Sequence, residues 1–138
     1  MSKRTLSHLQ INVSADNLPF YRDLFTLLNW QPIYADESME SFRSDDGLSL
    51  WFLGAANDST NDRDGAGVNH IALAAGSQAE VDATVRHLEA KGVERLFDTP
   101  CHRPDFAQND GDTYYQVMFE SPDGILLEHV YIGPKQEG

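Results

Sequence analysis

Short strand-like runs of residues open both halves of this chain. In residues 5–13 the apolar Leu9, Ile11 and Val13 alternate with polar residues, which predicts a strand with one buried face and one polar face. Residues 68–75 form a second strand-like run. A polar break follows each segment, and apolar residues then recur at helical spacing. Each half is therefore predicted to begin with a strand and a helix.

The remaining elements follow in the same order in both halves. Capping residues at 14–17 predict a first helix to about Asn29, and the second helix is predicted at 78–91 with Gly92 as its stop. Later strands are predicted at 31–35, 41–43, 48–53, 93–97, 114–120 and 125–131. Residues 99–112 are interpreted as a polar insertion and 133–138 as a frayed tail.

This order predicts an α+β fold made of two βαβββ modules in a single domain, 1–138. The modules cover about 5–54 and 68–132, and a linker near 55–67 is rich in Asn, Asp, Ser and Gly. One helix covers only one face of a four-stranded sheet, so neither module is expected to stand alone. Together they are expected to form a curved, mostly antiparallel, cup-like sheet with the helices outside.

The repeat also places chemically interesting residues at matching positions. His8 and His70 each stand near the start of a half. When the halves are aligned on their Asp-Gly turns, Trp51 stands opposite Glu128. The two halves thus supply two histidines and one carboxylate, which are the ligand types of many open metal sites.

Charge, hydropathy and cysteine content argue against several classes of function for this chain. The formal charge of −12 and a pI near 4.5 disfavour binding to nucleic acid, whose phosphates repel such a surface. No apolar run approaches the roughly 20 residues that a membrane helix needs. Cys101 is the sole cysteine, so an internal disulfide is excluded and a reducing cytoplasm is expected.

The chain resembles the glyoxalase / bleomycin-resistance / extradiol dioxygenase superfamily, also called vicinal oxygen chelate proteins. The most specific motif is Ser-Pro-Asp-Gly-Ile-Leu-Leu-Glu at 121–128, supported by 68–73 and by the helix-like stretch 17–30. The resemblance covers roughly residues 5–132. It implies that His8, His70 and Glu128 bind a metal. The family's fourth ligand position falls on Trp51, which cannot ligate, so a three-ligand open site is expected.

The resemblance implies a small enzyme that uses a divalent ion (Fe, Mn, Zn, Ni or Co) on a small oxygen-rich or carbonyl substrate. The alternative is a metal-free protein of the bleomycin-resistance type, which sequesters a small aromatic or cationic molecule while His and Glu form a polar cluster. Residues that two better-defined activities of the superfamily need are missing from this chain. Met118 stands where extradiol dioxygenases carry a tyrosine. Fosfomycin-resistance enzymes need cationic groups around a phosphonate, and Arg103 is the sole Lys or Arg between 97 and 115. No catalytic residue is assigned.

Six residues are candidates for contact with the substrate or ligand. They are Gln10, Trp51, His102, Arg103, Phe106 and Tyr115. Three of them lie in the 99–112 insertion, which is therefore predicted to be a specificity loop. A homodimer is also expected, because exposed sheet edges need cover.

Overall fold

Each half of the chain folds as a βαβββ module in the computed structural model, which describes residues 6–137. The chain divides into two units, Met1–Thr60 and Asn61–Gly138. Unit 1 contains β1 (His8–Asn12), α1 (Leu18–Leu27), β2 (Gln31–Ala35), β3 (Met39–Arg43) and β4 (Ser49–Leu53). Unit 2 contains β5 (His70–Ala74), α2 (Gln78–Lys91), β6 (Arg95–His102), β7 (Asp112–Glu120) and β8 (Leu126–Pro134). The predicted α+β architecture of two modules is confirmed.

Both sheets have the same strand order. Unit 1 is ordered β1-β4-β3-β2 and unit 2 is ordered β5-β8-β7-β6. The first strand of each module pairs in parallel with the last, and the other neighbouring pairs are antiparallel. The sheets are therefore mostly antiparallel, as predicted, and each histidine strand lies beside the strand that follows the Asp-Gly turn.

In unit 1, aromatic rings join the helix to the sheet. The ring of Tyr21 on α1 stacks on Phe52 of β4 with centroids 4.4 Å apart, and Phe25 stacks on Phe42 at 5.3 Å. All four side chains are buried. Because side chains alternate along a strand, the residues next to Phe52, including Trp51, lie on the opposite face of the sheet.

In unit 2, the helix has the bounds that the sequence predicts. The Ser77 hydroxyl accepts a hydrogen bond from the Glu80 main-chain N–H at 3.2 Å, which caps the first turn. At the other end Gly92 adopts a left-handed conformation with φ of 71°, where a side chain would be strained. α2 buries Val81 and Leu88 against the sheet.

The interpretation of 99–112 as an insertion is wrong in its first part. β6 continues to His102, well past the predicted end at 97. Its pairing with β7 shifts between Leu96 and Cys101, where Phe97 and Asp98 both have φ of 57°. The extra residues form a bulge within the strand. Only 103–111 remain as a loop, which includes one short 3-10 turn at Pro104–Phe106.

The predicted frayed tail is also mostly ordered. β8 extends to Pro134, and Gln136 then pairs with Gln78 at the start of α2. Three hydrogen bonds of 2.6–3.0 Å join these two glutamines. Gly138, and residue 5 of the first predicted strand, lie outside the described residues.

The second half of the predicted linker is attached to unit 2. The Asn61 amide donates to the main-chain oxygen of Gly124 at 2.9 Å, and Arg63 pairs with Glu120. The boundary between the units falls inside the segment 55–67, just before Asn61. Between residues 6 and 137, neither helix has the length and apolarity needed to span a membrane.

Candidate functional site

Glu128 is a buried carboxylate on the sheet face of unit 2 that α2 leaves open. Its side chain is 2% exposed. The next residue, His129, faces the opposite way, where its Nδ1 lies 2.9 Å from the Thr84 hydroxyl of α2. β8 pairs in parallel with β5, and Ala72 is the register partner of Glu128. Burying a charged carboxylate is costly unless donors or a cation meet it.

One oxygen of Glu128 receives two donors from β7. The Tyr114 hydroxyl donates to Oε2 at 2.7 Å. In the amide orientation that satisfies its neighbours, Gln116 donates to the same oxygen at 2.5 Å and accepts from Arg103 Nε at 2.7 Å. Burial and then the bond to Glu128 raise the pKa of Tyr114 far above its usual value, so this hydroxyl keeps its proton.

The other oxygen of Glu128 faces His70. Nε2 of the imidazole lies 3.3 Å from Oε1. The second ring nitrogen, Nδ1, lies 2.8 Å from Oδ1 of Asn69, whose amide nitrogen in turn donates to the Arg63 carbonyl at 2.9 Å. Because this second bond fixes the Asn69 amide, Nδ1 of His70 must be the donor. In neutral His70, Nε2 therefore directs a lone pair at a carboxylate oxygen.

In unit 1, the predicted residues share one face of the sheet. His8, Gln10 and Trp51 are related by the β1–β4 register, in which Gln10 pairs with Trp51. His8 Nδ1 lies 3.1 Å from the Ser7 hydroxyl, and the Trp51 indole donates to Ser49 at 3.0 Å. In neither unit do the described residues gather three or more His, Cys, Asp or Glu side chains that could hold a metal ion. His8 stays a predicted ligand.

Two of the predicted substrate residues contact the side chains that donate to Glu128. Arg103 reaches it through Gln116, as described above. The ring of Phe106 meets the ring of Tyr114 edge to face, with centroids 5.5 Å apart. The loop therefore places one side chain against each of the two β7 residues that donate to Glu128.

The other two predicted residues of unit 2, His102 and Tyr115, lie on the helix side of the sheet. Their rings pack 4.6 Å apart, and the Tyr115 hydroxyl donates to Asp82 of α2 at 2.5 Å. Burial and the Asp82 contact raise the pKa of Tyr115 to about 12, and burial lowers the pKa of His102. The structure does not bring this pair to Glu128.

Sequence reasoning missed Tyr114 and Gln116. A signal was present, because the hairpin turn between β7 and β8 fixes the register of the two strands. Glu128 pairs with Met118, so the alternate residues Gln116 and Tyr114 must share its face, whereas Tyr115 must not.

Comparison with known proteins agrees with this architecture. The family model of the Glyoxalase/Bleomycin resistance protein/Dioxygenase superfamily matches residues 5–129. A provisionally assigned glyoxalase from Bacillus halodurans is 25% identical with a TM-score of 0.76, over 94% of this chain and 96% of that one. A glyoxalase/dioxygenase from Nostoc punctiforme superposes at 18% identity and a TM-score of 0.69, over 96% and 92% of the chains.

A third relative is the fosfomycin resistance protein FosX from Listeria monocytogenes. It is 26% identical with a TM-score of 0.62, over 94% of each chain. A FosX mutant was solved with Mn(II) and 1S,2S-dihydroxypropylphosphonic acid. No curated protein matches the sequence significantly. On the family match over nearly its full length, this chain belongs to the glyoxalase/bleomycin-resistance/dioxygenase superfamily.

Proposed function

We propose that the protein is a divalent-metal-dependent enzyme that acts on a small oxygen-rich or carbonyl-bearing substrate. One observation carries the proposal: Nε2 of His70 and Oε1 of Glu128 face each other at 3.3 Å, and when His70 is neutral each presents electron pairs to the gap. Two such groups repel unless a cation or a proton lies between them. A divalent ion would satisfy both.

The donor set fits a transition-metal ion. Two neighbouring ligand atoms bound at about 2.1 Å to one ion would be roughly 3.0–3.4 Å apart in octahedral or tetrahedral geometry. The observed separation of 3.3 Å lies in that range. In metal sites the second nitrogen of a ligating histidine usually donates to a fixed acceptor. Asn69 is such an acceptor for His70.

The side chains around the pair would fix the ligands in place. Tyr114 and Gln116 orient the Glu128 carboxylate, and Asn69 sets the tautomer of His70. His8, at the equivalent position of β1, is the proposed third ligand. A bound divalent ion supplies Lewis-acid stabilisation to an enolate, alkoxide or similar substrate anion. Fe, Mn, Zn, Ni and Co all suit these ligands, and we take Mn(II) first because it is the ion in the FosX complex.

The competing function is metal-free binding of a small aromatic or cationic molecule. It is favoured by the same contact, because a protonated His70 would also satisfy Oε1 of Glu128. The two functions differ in one measurable property. The enzyme holds a metal in stoichiometric amount, whereas the binding protein holds none and retains affinity for an aromatic cation.

The test is the metal content of protein purified without chelator and then equilibrated with Mn(II). We expect about one ion per chain in the parent and loss of that ion in His70→Ala. The matched control is His102→Ala, which removes a strand histidine from the helix side of the same sheet. It is expected to retain the ion. A parent without metal, or equal metal content in both variants, would rule out the proposed site.

A homodimer is part of the proposal. β1 and β2 end the sheet of unit 1, and β5 and β6 end the sheet of unit 2, so each sheet has edges that require cover or pairing. Light scattering at micromolar concentration should give twice the 15.4 kDa chain mass. A monomer mass would exclude it. A reducing cytoplasm remains the predicted location, from the lone Cys101.

A further inference from the structure

Gln116 is a buried amide whose orientation decides what it offers to Glu128. Its side chain is 4% exposed and lies between the carboxylate and Arg103. An amide carries two donors on its nitrogen and an acceptor on its oxygen, so one orientation stabilises an ionised carboxylate and the other repels it. The partner on the far side of Gln116 therefore affects the hydrogen bonding of Glu128.

Arg103 admits only one of the two amide orientations. A guanidinium has five donors and no acceptor, so the amide oxygen must face it. Nε of Arg103 donates to that oxygen at 2.7 Å, which directs the amide nitrogen of Gln116 to Oε2 of Glu128. An ionised carboxylate favours the same orientation, but Arg103 holds it independently of the charge on Glu128.

Arg103 is itself fixed at both ends. Its main-chain N–H donates to the Tyr114 carbonyl at 2.7 Å, and its carbonyl accepts from the Phe106 N–H at 3.0 Å. At the tip of the side chain, Nη2 donates to the main-chain oxygen of Phe97 at 3.0 Å. Because the guanidinium is planar, a second bonded nitrogen fixes the direction of its Nε–H.

The Phe97 carbonyl that receives Arg103 belongs to the bulge of β6. Residues 97–100 have no register partner on β7. Phe97 and Asp98 both have φ of 57°, a conformation that residues other than glycine seldom adopt and that surrounding contacts must maintain. The bond from Arg103 is one such contact, and it links the bulge to the hydrogen bonds around Glu128.

We infer that Arg103 is a positioning residue for Glu128 and acts through Gln116. It holds the amide nitrogen on Oε2, which leaves Oε1 for an ion. The sequence predicts Arg103 as a substrate contact, whereas two of its nitrogens bond to the protein itself. The inference rests on the proposed function only for its effect on metal affinity, because the hydrogen bonds exist without a metal.

Simple electrostatics predicts the opposite effect of Arg103 on metal binding. A positive charge near a cation site repels the ion, so a variant that loses only this charge would bind Mn(II) more tightly. A variant that loses the positioning would bind Mn(II) less tightly, because the hydrogen bond that orients the ligand carboxylate is weakened. The sign of the change in affinity separates the two roles.

The first test is NMR of the metal-free protein with isotope-labelled glutamine, which follows the Gln116 amide directly. Its two N–H protons are identified by their loss in Gln116→Met. In Arg103→Met they should exchange with water about tenfold faster, because a charge-assisted hydrogen bond no longer holds the amide. Arg95→Met is the matched control, since it removes another arginine of β6, whose partner is Glu89. It should leave this exchange rate unchanged.

The second test is Mn(II) affinity, measured by competition against a chelator. Arg103→Met should weaken binding about tenfold, and Arg95→Met should bind like the parent. The double variant of Arg103→Met with Gln116→Leu should bind no more weakly than Gln116→Leu alone, because the arginine acts only through the amide.

The two tests fail in different ways. The inference is overturned if Arg103→Met leaves the exchange of the Gln116 amide unchanged. It is also overturned if this variant binds Mn(II) as well as or better than the parent, or if the losses in the double variant add. If the parent binds no Mn(II) while the amide exchange still depends on Arg103, the proposed function fails and the positioning of Gln116 by Arg103 is supported.

Discussion

Each unit buries one glutamate, and the two are compensated in different ways. Glu40 of unit 1, 1% exposed, lies on the helix side of its sheet, where Arg22 of α1 donates to it at 3.2 Å. Glu128 lies on the other side of its sheet, against a hydroxyl, an amide and an imidazole. A permanent cation inside its own module meets Glu40, whereas only neutral donors and a titratable ring contact Glu128. This difference marks Glu128 as the glutamate with a place for an added cation.

The largest effect is expected from neutralising the two glutamates in turn. Glu128→Gln removes the charge and should lower Mn(II) affinity at least about a hundredfold, because a neutral amide is a poor ligand for a divalent ion. Glu40→Gln is the isosteric control and should leave the affinity unchanged, since its carboxylate is already paired with Arg22. Competition against a fluorescent chelator measures both. Equal losses would mean that the variants report general damage to the fold.

A smaller effect is expected from removing the donors that hold Glu128. Tyr114→Phe and Gln116→Leu should each weaken Mn(II) binding about tenfold, as loss of a group that orients a ligand commonly does. Tyr115→Phe removes a hydroxyl from the neighbouring residue, whose partner is Asp82 on the helix side. It should not change metal affinity, although it should lower stability slightly. Should Tyr115→Phe weaken binding as much as Tyr114→Phe, the role given to the Glu128 donors is wrong.

The smallest expected effect is the contribution of Glu40 to the pH dependence of folding stability. Burial raises the pKa of its carboxyl, and Arg22 opposes this shift in part. A native pKa above the unfolded value means that the native state holds the proton more tightly. The contribution of this group to the free energy of unfolding is therefore largest at acid pH, and it is lost as the pH rises through the native pKa.

Glu40→Gln should remove this pH dependence. Relative to the parent, its stability should rise with pH, because the parent loses the contribution of its protonated carboxyl as the pH passes through the native pKa. Urea denaturation of the metal-free proteins at several pH values gives the two curves. Parallel curves would show that the pKa of Glu40 is the same in the native and unfolded states, which would contradict the raised native pKa.

The sequence predicted the parts of the fold that depend on local pattern. α2 has its predicted bounds because Ser77 caps one end and Gly92 ends the other. The prediction ends β6 too early because Asp98 and Pro100 have low strand propensity. The bulge that accommodates these residues depends on pairing with β7, which the local sequence does not show. Tyr114 was missed for a similar reason, since its role depends on the register of a hairpin rather than on its own neighbours.

The two hydrogen bonds on Oε2 of Glu128 also affect which cations the proposed site could bind. With that oxygen occupied, the carboxylate can offer only Oε1 to an ion. Calcium prefers six to eight oxygen ligands and often takes both oxygens of a carboxylate, whereas one oxygen and one imidazole suit smaller, more polarising ions. The proposed site would thus disfavour calcium, because it offers one carboxylate oxygen where calcium often takes two. That selectivity comes from Tyr114 and Gln116, neither of which would touch the ion.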